Sequence, residues 1–154
     1  GICLGHQLLA HAFGAEVGPG KKSEVGVMPV RKTTTGKKSP FFCDLPDTMD
    51  TLQWHSAEVK TIPKGFQVLA ESDQCAIQSL SYGNKVFSAQ YHQEITKTTV
   101  EEWNKIPEYK ASLEKSLGKN AADKLEKDVL EHINEFNIAA KLLYRNWKST
   151  VLND

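Results

Sequence analysis

The chain has 154 residues, 40% hydrophobic and 25% charged, enough for one globular domain with a core of its own. Nineteen basic residues balance nineteen acidic ones, so composition offers nothing to a nucleic acid or an acidic membrane surface. No apolar run approaches the roughly 20 residues of a membrane span, and no secretory or transit segment is visible.

The first predicted element already carries chemistry. Gly1-Ile2-Cys3-Leu4-Gly5-His6-Gln7 runs into Leu8-Leu9-Ala10-His11-Ala12-Phe13 and closes at Gly14, which predicts a helix from about Leu4 to Phe13. A cysteine with a glycine two residues to either side, directly before a helix, has the pattern of a nucleophile elbow. Small neighbours permit the tight strand-to-helix turn, and the positive end of the helix dipole favours a thiolate. On these residues alone Cys3 is either such a nucleophile or a buried structural cysteine, and a base elsewhere must decide. The chain has no initiator methionine and opens with a strand-turn-helix unit already under way, so it reads as part of a longer chain.

Beyond Gly14, Gly18-Pro19-Gly20 is expected to be a turn without regular structure. Glu24 to Val30 is β-rich, and Pro29, which lacks a donor, predicts an edge position or a bulge. Thr33 to Ser39 is expected as a hairpin loop, Phe41-Phe42-Cys43 as a short buried anchor, and Asp44-Leu45-Pro46-Asp47 as a turn. Thr51 to Trp54 reads as a strand, His55 to Val59 as a loop and Pro63-Lys64-Gly65 as a turn. Phe66 to Ala70, Cys75 to Leu80 and Val86 to Tyr91 read as further strands, with a hairpin turn at Tyr82-Gly83-Asn84. Neighbouring strands from Cys43 to Tyr91 are expected to pair antiparallel or mixed.

The rest is helical. Thr96 is expected to cap a helix reaching Lys105, with Pro107 breaking it and a second helix over about Glu108 to Leu117, before Gly118. Leu125, Val129, Ile133, Phe136, Ala140, Leu143, Trp147 and Val151 form one apolar stripe at helical spacing, a packing face against the sheet. The domain is thus divided into a core portion, residues 1–95, and C-terminal helices, residues 96–154.

The base stands where a strand ends. In Gln90-Tyr91-His92-Gln93-Glu94 the histidine and the carboxylate are two residues apart, on one face of an extended chain. Glu94 can then bond one ring nitrogen and leave the other for a thiol, which makes Cys3, His92 and Glu94 a candidate triad. His6 and His11 are expected to be packing or surface residues, and His132 lies beside the long helix's stripe. Cys43 and Cys75, in apolar contexts, are expected to act as small hydrophobes. Three cysteines without metal-ligand spacing fit a reducing, cytoplasmic setting and call for neither disulfide, metal nor cofactor.

The two blocks resemble the signatures of class I glutamine amidotransferases, Gly-x-Cys-x-Gly-x-Gln and Gln-Phe/Tyr-His-Pro-Glu, in the same order and at a typical separation. Glu24-x-Gly26, His55-x-x-Glu58-Val59 and Leu69-Ala70 resemble the GMP-synthase-like branch, and the helical tail resembles its stand-alone members. The resemblance implies an α/β, flavodoxin-like domain in which Cys3 attacks the glutamine side-chain amide to form a thioester and release ammonia. His92 would be base and then acid, Glu94 would orient it, the Leu4 N–H would be an oxyanion donor and Gln7 would help hold the glutamine. A γ-glutamyl hydrolase or peptidase would use the same thioester, and a non-catalytic binding module would use only the pocket. No synthetase or ATP-binding motif is present, so an ammonia-accepting partner protein is expected.

Three departures qualify this expectation. Gln93 replaces the family's proline, which should loosen the turn that sets His92. Glu58 replaces an aspartate in a loop of uncertain role. The family's first strands and its second oxyanion donor would lie upstream of Gly1, which implies self-association through an exposed edge and a glutaminase weakened by about 100- to 1,000-fold.

Overall fold

An antiparallel ribbon of two long strands, β1 (Val17–Lys32) and β2 (Thr48–Val59), is the frame on which the other elements sit. The computed structural model describes residues 1–152. Three short strands, β3 (Gln67–Glu71), β4 (Ser79–Tyr82) and β5 (Val86–Ala89), complete a five-stranded antiparallel sheet in the order β2-β1-β3-β4-β5. One helix, α1 (Leu4–Ala12), precedes the sheet, and α2 (Thr99–Asn104), α3 (Pro107–Leu117) and the 32-residue α4 (Ala121–Leu152) follow it.

The sheet curls, and two bridges use the curl to build the site. Ile2 pairs in parallel with Ala89, through Cys3 N–H to the Ala89 carbonyl at 2.8 Å and Ala89 N–H to the Gly1 carbonyl at 2.9 Å. The chain leaving β5 then folds back onto β2, where His92 and Leu52 exchange backbone hydrogen bonds at 2.8 and 3.1 Å. The segments carrying Cys3 and His92 are therefore tied to the sheet by backbone bonds, before any side chain contributes.

Packing fixes the helices. Ala10 of α1 is buried with Val59, Phe66, Ile77 and Leu80, while α4 lays Leu125, Val129, Ile133 and Phe136 against Val25 and Leu52. A 3-10 turn, Pro40–Phe42, buries Phe41 and Phe42 against Leu69, Phe87 and Tyr91. The turn is clamped by α4, where the buried Asn146 amide donates to the carbonyls of Phe41 at 3.2 Å and Cys43 at 2.6 Å. At Gly36, in the preceding 3-10 turn, an added Cβ would lie 1.9 Å from the Leu69 carbonyl oxygen, so the close approach there requires glycine.

Several expectations are corrected. Gly18-Pro19-Gly20 does not end the regular structure. Gly18 and Pro19 pair with Glu58 and Ala57, and the extra residues before Glu24 form an irregularity within β1. His55 to Val59, expected as a loop, is the end of β2, because those residues complete the same ribbon. Pro29 is tolerated because β1 meets β3 only at Arg31 and Lys32, leaving Pro29 with one strand partner, at Asp50. Thr96 is not the helix cap: its N–H bonds the Thr99 hydroxyl in a turn, and α2 starts at Thr99. Pro107 opens α3 as well as ending α2, as a residue without a donor can at a first helical position. Cys43 is exposed, since the buried anchor stops at Phe42. On α4 the stripe drifts after Phe136, with Ala139 and Asn146 buried in place of Ala140 and Trp147.

Candidate active site

Cys3 stands at the sharpest turn of the chain. Its φ of 49° and ψ of −106° are a strained conformation for a residue with a side chain. Two flanking bonds hold it: its N–H to the Ala89 carbonyl, and the Gly5 N–H to the Ile2 carbonyl at 2.8 Å. Leu4 is the first residue of α1, so its N–H belongs to the opening helix donors without an intrahelical acceptor. A Cβ at Gly1 would lie 2.5 Å from the Gly5 carbonyl oxygen, which explains the small residues around the turn.

His92 reaches the same cavity from the far end of the sheet, and both residues line it. The His92 Nδ1 lies 2.6 Å from Glu94 Oε1. Burial pushes this imidazole down, but the Cys3 thiol and the Glu94 carboxylate oppose burial and hold it up at about 9. Burial also raises the Glu94 carboxyl, and the His92 ring with the Gln93 backbone outweighs it, leaving the group below its usual range. Gln93 does not merely loosen this turn. Its N–H donates to Glu94 Oε2 at 3.0 Å, a bond a proline could not make, and its buried side chain lies 3.8 Å from the Met49 sulfur.

Gln7 is turned inward. Its amide nitrogen donates to the Ala57 carbonyl and to Gln90 Oε1, both at 2.9 Å, so its Oε1 is what remains for a ligand. The fully buried Gln90 in turn directs its amide nitrogen at Cys3 Sγ, 3.6 Å away. Gln90 belongs to the second sequence block, yet a glutamine in a strand pattern gives no sign that it faces a sulfur.

His55 and Glu58 go to different places. His55 Nε2 lies 3.1 Å from Glu24 Oε2 without hydrogen-bond alignment, inside a buried polar group where Ser72 and Gln78 donate to the two Glu24 oxygens at 2.7 and 2.8 Å. Glu58 pairs with Lys60 at 2.5 Å. Neither lines the Cys3 cavity. His6 is buried, 2.8 Å from the Ser88 hydroxyl, and burial lowers it to about 4, so it packs as a neutral ring. His11 is exposed. Cys75 is buried and pushed up to about 12 by that burial, which leaves it unreactive.

The cavity at Cys3 and His92 measures about 460 Å³ and is otherwise walled by Ile2, Leu4, Trp54, Trp103 and Tyr109. Trp54 and Trp103 meet edge to face at 5.0 Å, Trp103 meets the His92 ring at 5.6 Å, and Tyr109 lies 6.0 Å from Trp54. The sequence pattern gives no sign of these aromatic walls, because Trp103 and Tyr109 come from α2 and α3, far along the chain from Cys3. Asp50, His132 and Glu135 bring donor atoms within 4.8 Å of one another on β2 and α4, and none of them lines this cavity. Among the described residues no helix is long and apolar enough to cross a membrane.

The family model described as glutamine amidotransferase class-I matches residues 1–103. The chain is 36% identical over 99 residues to the amidotransferase-family subunit of the glutamine-hydrolysing GMP synthase of Methanocaldococcus jannaschii, covering 64% of this chain and 51% of that protein. Against the glutamine-hydrolysing GMP synthase of Neisseria meningitidis it is 35% identical over 99 residues, covering 64% of this chain and 19% of that one. It superposes on a glutamine amidotransferase from Thermotoga maritima with a TM-score of 0.82 and 30% identity, covering 96% of this chain and 60% of that one. The chain thus spans about half the length of the Methanocaldococcus relative, and the expected α/β, flavodoxin-like class is that of the structures it superposes on.

Proposed function

From the premise that this chain belongs to the class I glutamine amidotransferase family, in its GMP-synthase-like branch, we propose that it hydrolyses the side-chain amide of glutamine through a thioester on Cys3. The observation that carries this reading is the convergence, in one cavity, of a cysteine on a strained elbow and a histidine whose Nδ1 is held by a carboxylate at 2.6 Å.

Cys3 Sγ gives its proton to His92 and attacks the amide carbon. The oxygen that becomes negative is met by the Leu4 N–H at the positive end of α1. His92, kept protonated by Glu94, passes its proton to the nitrogen, the C–N bond breaks and ammonia leaves. Water then attacks the thioester, His92 takes a proton from it and returns one to the sulfur, and glutamate is released. Gln90 steadies the sulfur, and Gln7 steadies Gln90 while offering Oε1 to the substrate. The ammonia serves an acceptor on another chain, a reading supported by the Methanocaldococcus relative being named as one subunit of a glutamine-hydrolysing synthase.

The test is glutamate and ammonia release from L-glutamine by the chain and by Cys3→Ala. Equimolar release that disappears in Cys3→Ala is expected. Release that survives the substitution, or no Cys3-dependent release, would count against the reading.

A further inference from the structure

The geometry points to a subsite for the departing amine, formed by Trp54, Trp103 and Tyr109, that lets this chain cleave γ-glutamyl amides of aromatic amines more readily than glutamine. The inference rests on the thioester reading above and adds to it the kind of nitrogen that leaves.

The departing nitrogen takes its proton from His92, so it must leave on the imidazole's side of Cys3. That side is the aromatic one. Trp103 stands edge to face with the His92 ring at 5.6 Å and with Trp54 at 5.0 Å, and Tyr109 closes the group at 6.0 Å from Trp54. Apart from Cys3 and His92 the lining consists of Ile2, Leu4 and these three rings, so it presents no carboxylate, ammonium or amide side chain. Ammonia is small and polar, and such walls give it neither a hydrogen-bond partner nor a fit.

A flat apolar ring has both partners and room there. Edge-to-face and offset contacts are the arrangements aromatic rings prefer, and three rings around one space supply them. The volume of about 460 Å³ falls within the range of small-molecule sites. Tyr109 is 45% exposed, so the subsite opens to solvent and the amine's far end is not confined.

The reaction balances without a further reagent. The Cys3 sulfur bonds to the γ-carbonyl carbon, the C–N bond breaks, and the His92 proton goes to nitrogen, releasing the amine R–NH2. Water opens the thioester, giving glutamate and restoring the thiol.

The experiment compares γ-glutamylbenzylamide with γ-glutamylethylamide, two alkylamides of similar leaving-group basicity, so that the ring alone is read. The ratio of their kcat/KM values is expected to be about ten in the unaltered chain, to exceed one against glutamine as well, and to fall toward one in Trp103→Ala and in Tyr109→Ala. The second variant alters an exposed side chain, and circular dichroism confirms that each is folded. Titration calorimetry of Cys3→Ser with the same two amides reads the subsite without chemistry. Benzylamide binding about tenfold tighter, and lost in Cys3→Ser/Tyr109→Ala, supports the subsite even if no amide turns over, in which case only the thioester reading has failed. Equal binding of the two amides, binding of neither, or a ratio unmoved by both variants overturns the subsite, even if glutamine is hydrolysed.

Discussion

Replacing Glu94 by glutamine keeps the side chain's shape and removes the charge facing His92 Nδ1 at 2.6 Å. Holding this imidazole at about 9 against an ordinary 6.5 corresponds to on the order of 3 kcal/mol in favour of the charged ring. Burial opposes that figure, and Cys3 and Glu94 supply it together. The Glu94 side chain is 52% exposed, so solvent screens it and its share is cut to about 1 to 1.5 kcal/mol, or about one pH unit. The assay is a proton NMR titration of the imidazole C–H signals, with His92 assigned by its loss in His92→Asn. His6, lowered to about 4, titrates well clear of it. The midpoint is expected to fall by about one pH unit in Glu94→Gln. Because the folded-state value is raised, the charged ring's contribution to stability is complete below about pH 6.5 and is lost as pH rises through about 9. The stability gap between the unaltered chain and Glu94→Gln, measured in urea, should therefore shrink across that window. A midpoint still near 9 in the variant, or a gap independent of pH, refutes the assignment of Glu94 as support for His92.

Three further outcomes are expected. Gln93→Pro removes the N–H that meets Glu94 Oε2 at 3.0 Å, so the His92 midpoint in the same titration should drop, and a midpoint unchanged or raised would contradict that role. Asn146→Leu strands the two carbonyls that Asn146 clamps in the 3-10 turn and should cost about 2 to 3 kcal/mol in urea unfolding, a cost that an unmoved transition would deny. Gly36→Ala places a methyl against the Leu69 carbonyl and should destabilise by more than about 3 kcal/mol. A loss below about 1 kcal/mol would mean the two backbones separate easily.

The sequence was most legible where chemistry and backbone geometry demand the same residues. The glycines flanking Cys3, the helix starting at Leu4 and the two-residue spacing of His92 and Glu94 are each visible locally, and each is present in the structure. Legibility failed where tertiary pairing overrides local signals. Gly18 and Pro19 look like a turn, yet the register that joins β1 to β2 recruits them into a strand, and His55 to Val59 follows for the same reason. The drift on α4 arises because the helix meets two surfaces in turn. Its first half faces Val25 and Leu52, while its second half faces the Pro40–Phe42 turn, which asks for the Asn146 amide rather than another apolar side chain. Gln90 and the ring group of Trp54, Trp103 and Tyr109 were hidden differently: they matter only through atoms brought together from β2, α2, α3 and the segment after β5.

The central claim is that the fold selects one cysteine of three for covalent chemistry. Mass spectrometry of the chain after reaction with a glutamine-analogue electrophile tests it most directly. Cys43 is exposed, and Cys75 is buried with its thiol pushed up to about 12, so accessibility alone would direct the label to Cys43. A single adduct on Cys3, suppressed by excess glutamine and lost in His92→Asn, is the expected result. Labelling of Cys43 at a rate equal to or above that of Cys3, unaffected by glutamine, would contradict the account.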